Sequence, residues 1–139
     1  MQLYASATSP YARKVRIALI ELGLSDRVTI LATTPIEDPA YRRINPLGKI
    51  PALQLDDGSV IYDSLVIVDW LDQAAGGGRL IPLAADARNA ELRRHALANG
   101  VIDAAFNIAM ELRRHRRHRR PRIPHHHLRH RHIEFFLDD

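Results

Sequence analysis

The chain has 139 residues, a formal net charge of +4 and no cysteine. This length suits one domain, or one small domain with an appendage. The lack of cysteine excludes disulfides, thiolate zinc sites and Cys-x-x-Cys redox centres, and it favours a cytoplasmic protein. No run approaches about 20 apolar residues and no signal-peptide pattern opens the chain, so we expect no membrane partner and no secretory leader.

The charge is divided unevenly along the chain. Residues 1–112 contain 11 basic and 13 acidic residues, a net charge of −2. Residues 113–139 contain nine arginines and three acidic residues, a net charge of +6, together with seven of the eight histidines. The composition therefore predicts an ordinary globular segment joined to an Arg/His-rich tail of different character.

The first 32 residues predict a strand, a helix and a second strand. Gln2–Ala5 forms the first strand. Ser9 followed by Pro10 is a helix-start signal, because the serine hydroxyl caps free amides and proline suits the first helical position. An apolar face of period 3.6 then predicts a helix over residues 10–22 that stops at Gly23. Residues 28–32 form the second strand, which implies a right-handed βαβ unit.

Residues 45–53, Asn-Pro-Leu-Gly-Lys-Ile-Pro-Ala-Leu, predict a sharp turn that leads into a strand. Such a turn can leave the main chain of Ile50 unpaired, so that a peptide-like ligand could bind to it as a short added strand. Pro51 stands where a cis bond is tolerated. Only about 5–6% of X–Pro bonds in folded proteins are cis, so local sequence favours the trans form.

The elements after this turn complete a small sheet. A short helix is predicted from about Asp38 and Pro39, before the turn. Residues 52–55 and 60–62 then flank an Asp-Gly hairpin signal. Asp63 and Ser64 cap a helix that ends at residues 76–78, which are all glycine. The order β-α-β-α-β-β-α predicts an α/β domain over residues 1–78, with a four-stranded mixed sheet and helices on both faces.

A linker over residues 79–85 leads to a long predicted helix, residues 86–114. One face carries the apolar stripe Leu97, Val101, Ile108 and Leu112. Another carries Asn99, Asp103 and Asn107, spaced every four residues. We expect the polar row to line a substrate cleft or to form a solvated helix face.

Three landmarks in this order resemble the N-terminal domain of bacterial, serine-type glutathione transferases. They are Thr8-Ser9-Pro10-Tyr11-Ala12-Arg13-Lys14-Val15-Arg16, the turn at residues 45–53, and Tyr62-Asp63-Ser64. The resemblance implies a thioredoxin-like domain followed by the start of an all-helical domain. It weakens through residues 86–114 and then stops, which suggests that the helical domain is truncated.

The resemblance also implies a binding site for glutathione as co-substrate, with no metal. Pro51 would be cis, and the main chain of Ile50 would pair with the cysteinyl part of glutathione. Asp63 and Ser64 would hold the γ-glutamyl end, and Lys49 the glycyl carboxylate. The cleft for the electrophile would include Tyr11, Asn99, Asp103 and Asn107. Family members are usually dimers with roles in detoxification, so a homodimer is the expected assembly of full-length relatives.

Ser9 is the expected catalytic residue. Free thiols have a pKa near 8.5, so an enzyme that uses glutathione must stabilise the thiolate. The Ser9 hydroxyl, at the positive end of a helix, could do so by donating a hydrogen bond. The alternative is that Ser9 acts only as a helix cap, while Ser6 or Thr8 supplies the hydroxyl. Without cysteine, the expected reactions are attack of glutathione on an electrophile or reduction of a peroxide.

Other functions remain open from the sequence. The same fold could be a non-enzymatic interaction module, and the tail could bind nucleic acid through its charge, although this second reading is disfavoured. For residues 115–139 we expect disorder, or an extension of the preceding helix that frays. A histidine run at residues 125–127 could chelate a metal weakly, and out-of-frame sequence would explain the composition of the tail more simply. We therefore expect little enzymatic activity from the truncated chain.

Overall fold

The computed structural model describes residues 1–34 and 39–119, with side chains up to residue 115. The chain forms two compact units, Met1–Ala105 and Phe106–Asp139. Most of the predicted tail lies outside the described residues, including the histidine run at 125–127. Within the described residues, no helix is long and apolar enough to cross a membrane.

The first unit is built on a four-stranded mixed sheet. The strands are β1 (Gln2–Ala5), β2 (Thr29–Ala32), β3 (Ala52–Gln54) and β4 (Val60–Ile61), in the spatial order β2-β1-β3-β4. β1 pairs parallel to β2 and antiparallel to β3, and β3 pairs antiparallel to β4. The predicted mixed sheet and thioredoxin-like order of elements are confirmed.

Two helices cover one face of this sheet and form the core with it. They are α1 (Pro10–Glu21) and α2 (Ser64–Ala74), which pack against each other. Leu3 and Leu53 of the sheet are fully buried with Val15 of α1 and Ile67 and Leu71 of α2. Val15 belongs to the apolar face of period 3.6 that predicted α1, and its burial against the sheet explains why that helix forms here.

The opposite face carries a 3₁₀ helix at Pro39–Arg43, where the sequence predicted a short helix. Tyr41 from this helix is buried, and its ring centroid lies 5.6 Å from that of Tyr4 in β1. Tyr4 points away from the core face because side chains alternate along a strand. The Tyr4 hydroxyl donates to Gln54 Oε1 at 3.0 Å, which links β1 to β3 on this face.

A buried aspartate fastens the loop that follows α2. Asp72 is fully buried and accepts hydrogen bonds from the main-chain N–H groups of residues 78–81, at 3.0–3.1 Å. Burial alone would raise the pKa of Asp72, but these four donors outweigh it and hold the pKa below its ordinary value. No sequence pattern predicted this role for Asp72.

The long helix α3 runs over Ala85–Arg119. The helix thus ends later than the sequence predicted, which was near Arg114. Glu111 pairs with Arg114 at 2.7 Å and with His115 at 3.0 Å, one turn later. Arginine is a strong helix former, and such pairs support an exposed helix, so the helical pattern persists into the basic segment.

Candidate functional site

The three sequence landmarks converge on one edge of the sheet. In the sheet, Tyr4 near the end of β1 is paired with Ala52, the first residue of β3. Leu53 of β3 is paired with Ile61, the last residue of β4. The end of β1, the start of β3 and the end of β4 therefore lie at the same edge. Ser9 follows β1, Pro51 precedes β3, and Asp63 follows β4. Both α1 and α2 therefore begin here. We call this the helix-start edge; it presents two positive helix ends, an environment that favours bound anions.

Ser9 is the N-cap of α1 at this edge. Its backbone is extended (φ −76°, ψ 120°), and its Oγ accepts a hydrogen bond from the Ala12 N–H at 3.2 Å. Capping uses a lone pair of the hydroxyl oxygen and leaves its proton available for donation. The capping role and the expected thiolate-stabilising role are thus compatible in one side chain.

Two side chains that precede the turn before β3 stabilise it by hydrogen bonds. The Ile50–Pro51 bond is cis, as the family resemblance implied and local sequence did not. The Tyr41 hydroxyl and Asn45 Nδ2 both donate to the carbonyl oxygen of Lys49, at 3.0 and 2.7 Å. No described residue forms a hydrogen bond with the main chain of Ile50. Among the described residues, the N–H and carbonyl of Ile50 are thus not used in the fold's own hydrogen bonds, and Lys49 is exposed.

Asp63 and Ser64 begin α2. Asp63 is the N-cap, and its Oδ1 accepts from the Leu65 N–H at 2.9 Å. Its side chain is exposed, so the second carboxylate oxygen can still receive a ligand donor. Ser64 is the first residue of α2 and is buried. Its N–H is one of the main-chain donors that a helix start leaves without an intrahelical partner.

The first half of α3 contacts α1 through polar side chains. The Tyr11 hydroxyl donates to Asp103 Oδ1. Lys14 Nζ lies 2.8 Å from His95 Nε2 and 2.9 Å from Asn99 Oδ1. Three members of the predicted cleft, Tyr11, Asn99 and Asp103, are thereby brought to one α1–α3 contact. The fourth, Asn107, is exposed and belongs to the second compact unit.

Three side chains in this contact, Tyr11, Lys14 and His95, have pKa values that differ from their ordinary values. Burial, and then the hydrogen bond to Asp103, raise the pKa of Tyr11 to about 12. Burial lowers the pKa of Lys14, while the charges of Asp63 and Asp103 oppose this effect. Burial and the neighbouring Lys14 charge lower the pKa of His95. At neutral pH the cluster therefore contains a protonated Tyr11 and a neutral His95 that can accept from Lys14.

Sequence reasoning missed Lys14 and His95. His95 precedes Asn99 by four residues and so extends the predicted polar row by one turn. Lys14 follows Tyr11 by three residues on α1, which places the two on one helix face. These spacings could have identified both residues, but only the packing of α1 against α3 shows that the two rows meet.

Comparison with known proteins gives a consistent result. Residues 8–74 match the family model of the glutathione S-transferase N-terminal domain. The uncharacterized GST-like protein YibF of Escherichia coli K12 is 30% identical over 107 residues, which are 76% of this chain and 52% of YibF. The chain thus spans about half the length of this curated relative.

Solved structures extend the similarity. A glutathione transferase family member from Pseudomonas fluorescens Pf-5, with bound glutathione, superposes with a TM-score of 0.75 and 46% identity over 80% of this chain and 56% of that one. A second structure from the same source contains S-(propanoic acid)-glutathione. It gives a TM-score of 0.70 and 46% identity over 81% of this chain and 54% of that one.

Proposed function

Because its N-terminal domain belongs to the glutathione S-transferase family, we propose that this chain binds glutathione at the helix-start edge and activates its thiol. One observation carries the proposal: the capped starts of α1 and α2 lie at one sheet edge with a cis-proline turn, and the main chain of Ile50 in that turn has no hydrogen bond with any described residue. The tripeptide offers two carboxylates, an ammonium group and a main chain, and this edge offers a complement to each.

In this proposal the main chain of Ile50, ahead of the cis Pro51, pairs with the cysteinyl residue of glutathione as a short antiparallel strand. Asp63 accepts from the γ-glutamyl ammonium, and the Ser64 end of α2 receives the γ-glutamyl carboxylate. The exposed Lys49 is positioned in sequence, directly before Ile50, to reach the glycyl carboxylate. Each group thus meets a partner of opposite charge or hydrogen-bonding type.

The proposed chemistry rests on Ser9. Its hydroxyl proton, together with the positive end of α1, stabilises the glutathione thiolate and so increases the fraction of nucleophile at neutral pH. The thiolate then attacks an electrophilic small molecule or a peroxide. These 139 residues contain no cysteine, so the nucleophilic sulfur is that of glutathione itself.

We further propose the domain limits predicted from the sequence: a glutathione-binding domain over residues 1–78, a linker over 79–85 and the first helix of an all-helical domain from residue 86. A homodimer is the proposed assembly of the full-length protein. Because the electrophile would contact the helical part, the identity of that substrate depends on residues from α3 onward.

Isothermal titration calorimetry with reduced glutathione tests the binding proposal. We expect Asp63→Asn to weaken binding by roughly 1.5–3 kcal/mol, the scale of a hydrogen bond to a charged group. Asparagine is also a good N-cap, so this variant removes the charge and keeps the helix start. Asp26→Asn is the control, because Asp26 lies in a 3₁₀ turn beyond the other end of α1. Equal affinities of wild type and Asp63→Asn would remove Asp63 from the site.

A further inference from the structure

We propose that Tyr11 and Asp103 form a specificity-determining pair that accepts a hydrogen-bond donor on the second substrate, so that the site prefers electrophiles with an ammonium, hydroxyl or amide N–H group over those with a carboxylate. This inference rests on the proposed glutathione site, because Tyr11 lies two residues after the proposed catalytic Ser9. The pair joins the first turn of α1 to α3.

The direction of the Tyr11 hydrogen bond determines whether its hydroxyl offers a donor or an acceptor to other groups. A tyrosine hydroxyl has one proton, and in Tyr11 this proton is donated to Asp103 Oδ1. Tyr11 is held in its protonated form, since burial and the adjacent carboxylate raise its pKa to about 12. In any further hydrogen bond, the Tyr11 oxygen can then take part only as an acceptor.

Asp103 reinforces this acceptor character. An ionised carboxylate accepts hydrogen bonds and donates none, and Tyr11 engages one of its two oxygens. Asp103 is exposed, so its second oxygen is accessible to a bound molecule. Tyr11 and Asp103 together therefore present acceptors without a donor, and a ligand carboxylate placed beside them would meet only like partial charges.

Lys14, a cation in the same α1–α3 contact, does not reverse this preference. Lys14 feels the charges of both Asp63 and Asp103, so it belongs to the same cluster. Two of its three donors are directed to His95 and Asn99. Its half-buried ammonium group therefore has at most one donor left for a ligand.

Three glutathione derivatives test this preference by binding alone. S-(2-aminoethyl)glutathione, S-propylglutathione and S-(propanoic acid)-glutathione have short tails that end in an ammonium, a methyl and a carboxylate group. Calorimetry should give the tightest binding to the aminoethyl derivative and the weakest to the propanoic acid derivative. We expect roughly tenfold between the first and the last, the scale of one charge-assisted hydrogen bond.

Asp103→Asn is the decisive variant. Asparagine can still accept from Tyr11 through its carbonyl oxygen, and it offers N–H donors in place of the second carboxylate oxygen. The ranking should therefore collapse or invert in favour of the propanoic acid tail. Asp26→Asn makes the same charge change at the far end of α1 and should keep the wild-type ranking.

Tyr11→Phe keeps the test valid if Asp103→Asn fails to fold. Removal of the hydroxyl should reduce the preference for the ammonium tail. The difference between the ultraviolet titrations of wild type and Tyr11→Phe isolates the ionisation of Tyr11. Equal affinities for the three derivatives in a wild type that binds glutathione would overturn the inference and leave the proposed function intact. If glutathione itself does not bind, both proposals fail.

Discussion

At the residue scale, the Ser9 hydroxyl combines an observed role with a proposed one. Its oxygen caps α1 by accepting from Ala12, and we propose that its proton is donated to the glutathione thiolate. Substitution therefore changes both stability and chemistry. Variants that separate the two effects are needed, because loss of turnover in one variant could reflect a frayed helix alone.

Ser9→Ala and Ser9→Gly separate these effects. Alanine at an N-cap costs about 1 kcal/mol of stability, whereas glycine costs a few tenths. Both remove the hydroxyl, so both should raise the pKa of bound glutathione by about one unit, the equivalent of one lost charged hydrogen bond. Absorbance of the thiolate against pH measures this shift. Ser6→Ala and Thr8→Ala are the controls, and a shift in either of them instead of the Ser9 variants would reassign the hydroxyl.

Asp72 gives a prediction about stability. Loss of its carboxylate removes the acceptor of four main-chain N–H groups, of which that of Ile81 is buried and the other three are partly buried. A buried N–H group left unpaired costs about 1–3 kcal/mol. We expect Asp72→Ala to lower the free energy of unfolding by about 3 kcal/mol or more. Urea titration followed by Trp70 fluorescence measures it. Asp69→Asn is the control on the same helix, because its half-exposed pair with Arg88 contributes only about 0–1 kcal/mol.

The same carboxylate makes stability depend on acid. The pKa of Asp72 is below its ordinary value of 3.8 in the folded state, so the unfolded chain binds the proton more readily. Its stabilising contribution is complete above 3.8 and is lost as pH falls through the folded pKa. Unfolding titrations between neutral pH and this range should show a shallower loss for Asp72→Asn than for wild type. Parallel curves would contradict this role.

The residues predicted correctly are those whose partners lie nearby in sequence. Ser9 and Asp63 cap helices that begin at the next residue, so the local pattern was sufficient. The partners of Asp72 lie six to nine residues away across three glycines, and no periodic signal connects them. The cis form of Pro51 followed from the family resemblance, because local sequence favours trans.

At the element scale, the α1–α3 contact carries a pH-dependent pair. His95 must be neutral to accept from Lys14, and burial and Lys14 lower its pKa below 6.5. Asp63 and Glu91 oppose this shift without reversing it. The unfolded chain then binds the proton at a higher pH than the folded chain. The stability of the fold should fall as pH decreases below about 6.5.

His95→Gln tests this coupling, because glutamine can accept from Lys14 and does not titrate in this range. Unfolding free energies measured between pH 7.5 and 5.5 should fall in wild type and fall less in His95→Gln. The other histidines remain in both proteins, so the difference reports His95. An identical slope in the two proteins would show that the Lys14–His95 pair does not contribute to it.

Predictability at this scale depended on whether an element buries an apolar face. The extents of α1 and α2 were predicted to within a few residues, because their apolar faces pack on the sheet and glycines follow them. The end of α3 was not predicted correctly, because the basic residues after Arg113 carry no apolar period. The polar rows of α1 and α3 were visible separately, and only their packing shows that Lys14 meets His95.

At the scale of the whole molecule, α3 carries the apolar stripe that the sequence predicted. Leu97, Val101, Ile108 and Leu112 are 73%, 64%, 62% and 56% exposed. Leu97 and Val101 belong to the first compact unit, and Ile108 and Leu112 to the second. Apolar surface left in water costs on the order of 25 cal/mol per Å², so each unit gains free energy if another surface covers its part of the stripe.

We therefore expect a preparation of these 139 residues to associate with increasing concentration, because exposed apolar surface on either unit promotes contact between chains. Replacing all four stripe residues by glutamine should shift sedimentation velocity profiles to a single monomer peak. Ile20→Gln is the control: Ile20 is 68% exposed but lies on α1, outside the stripe.

Glutathione should still bind to the stripe variant, because the proposed site uses α1, α2 and the Ile50 turn. Conjugation of a chloronitrobenzene should be weak in both, because Asp103, in the proposed electrophile cleft, is exposed to solvent. A monodisperse wild type with the turnover of a full-length relative would contradict this account and show that α3 and the residues after it suffice for catalysis.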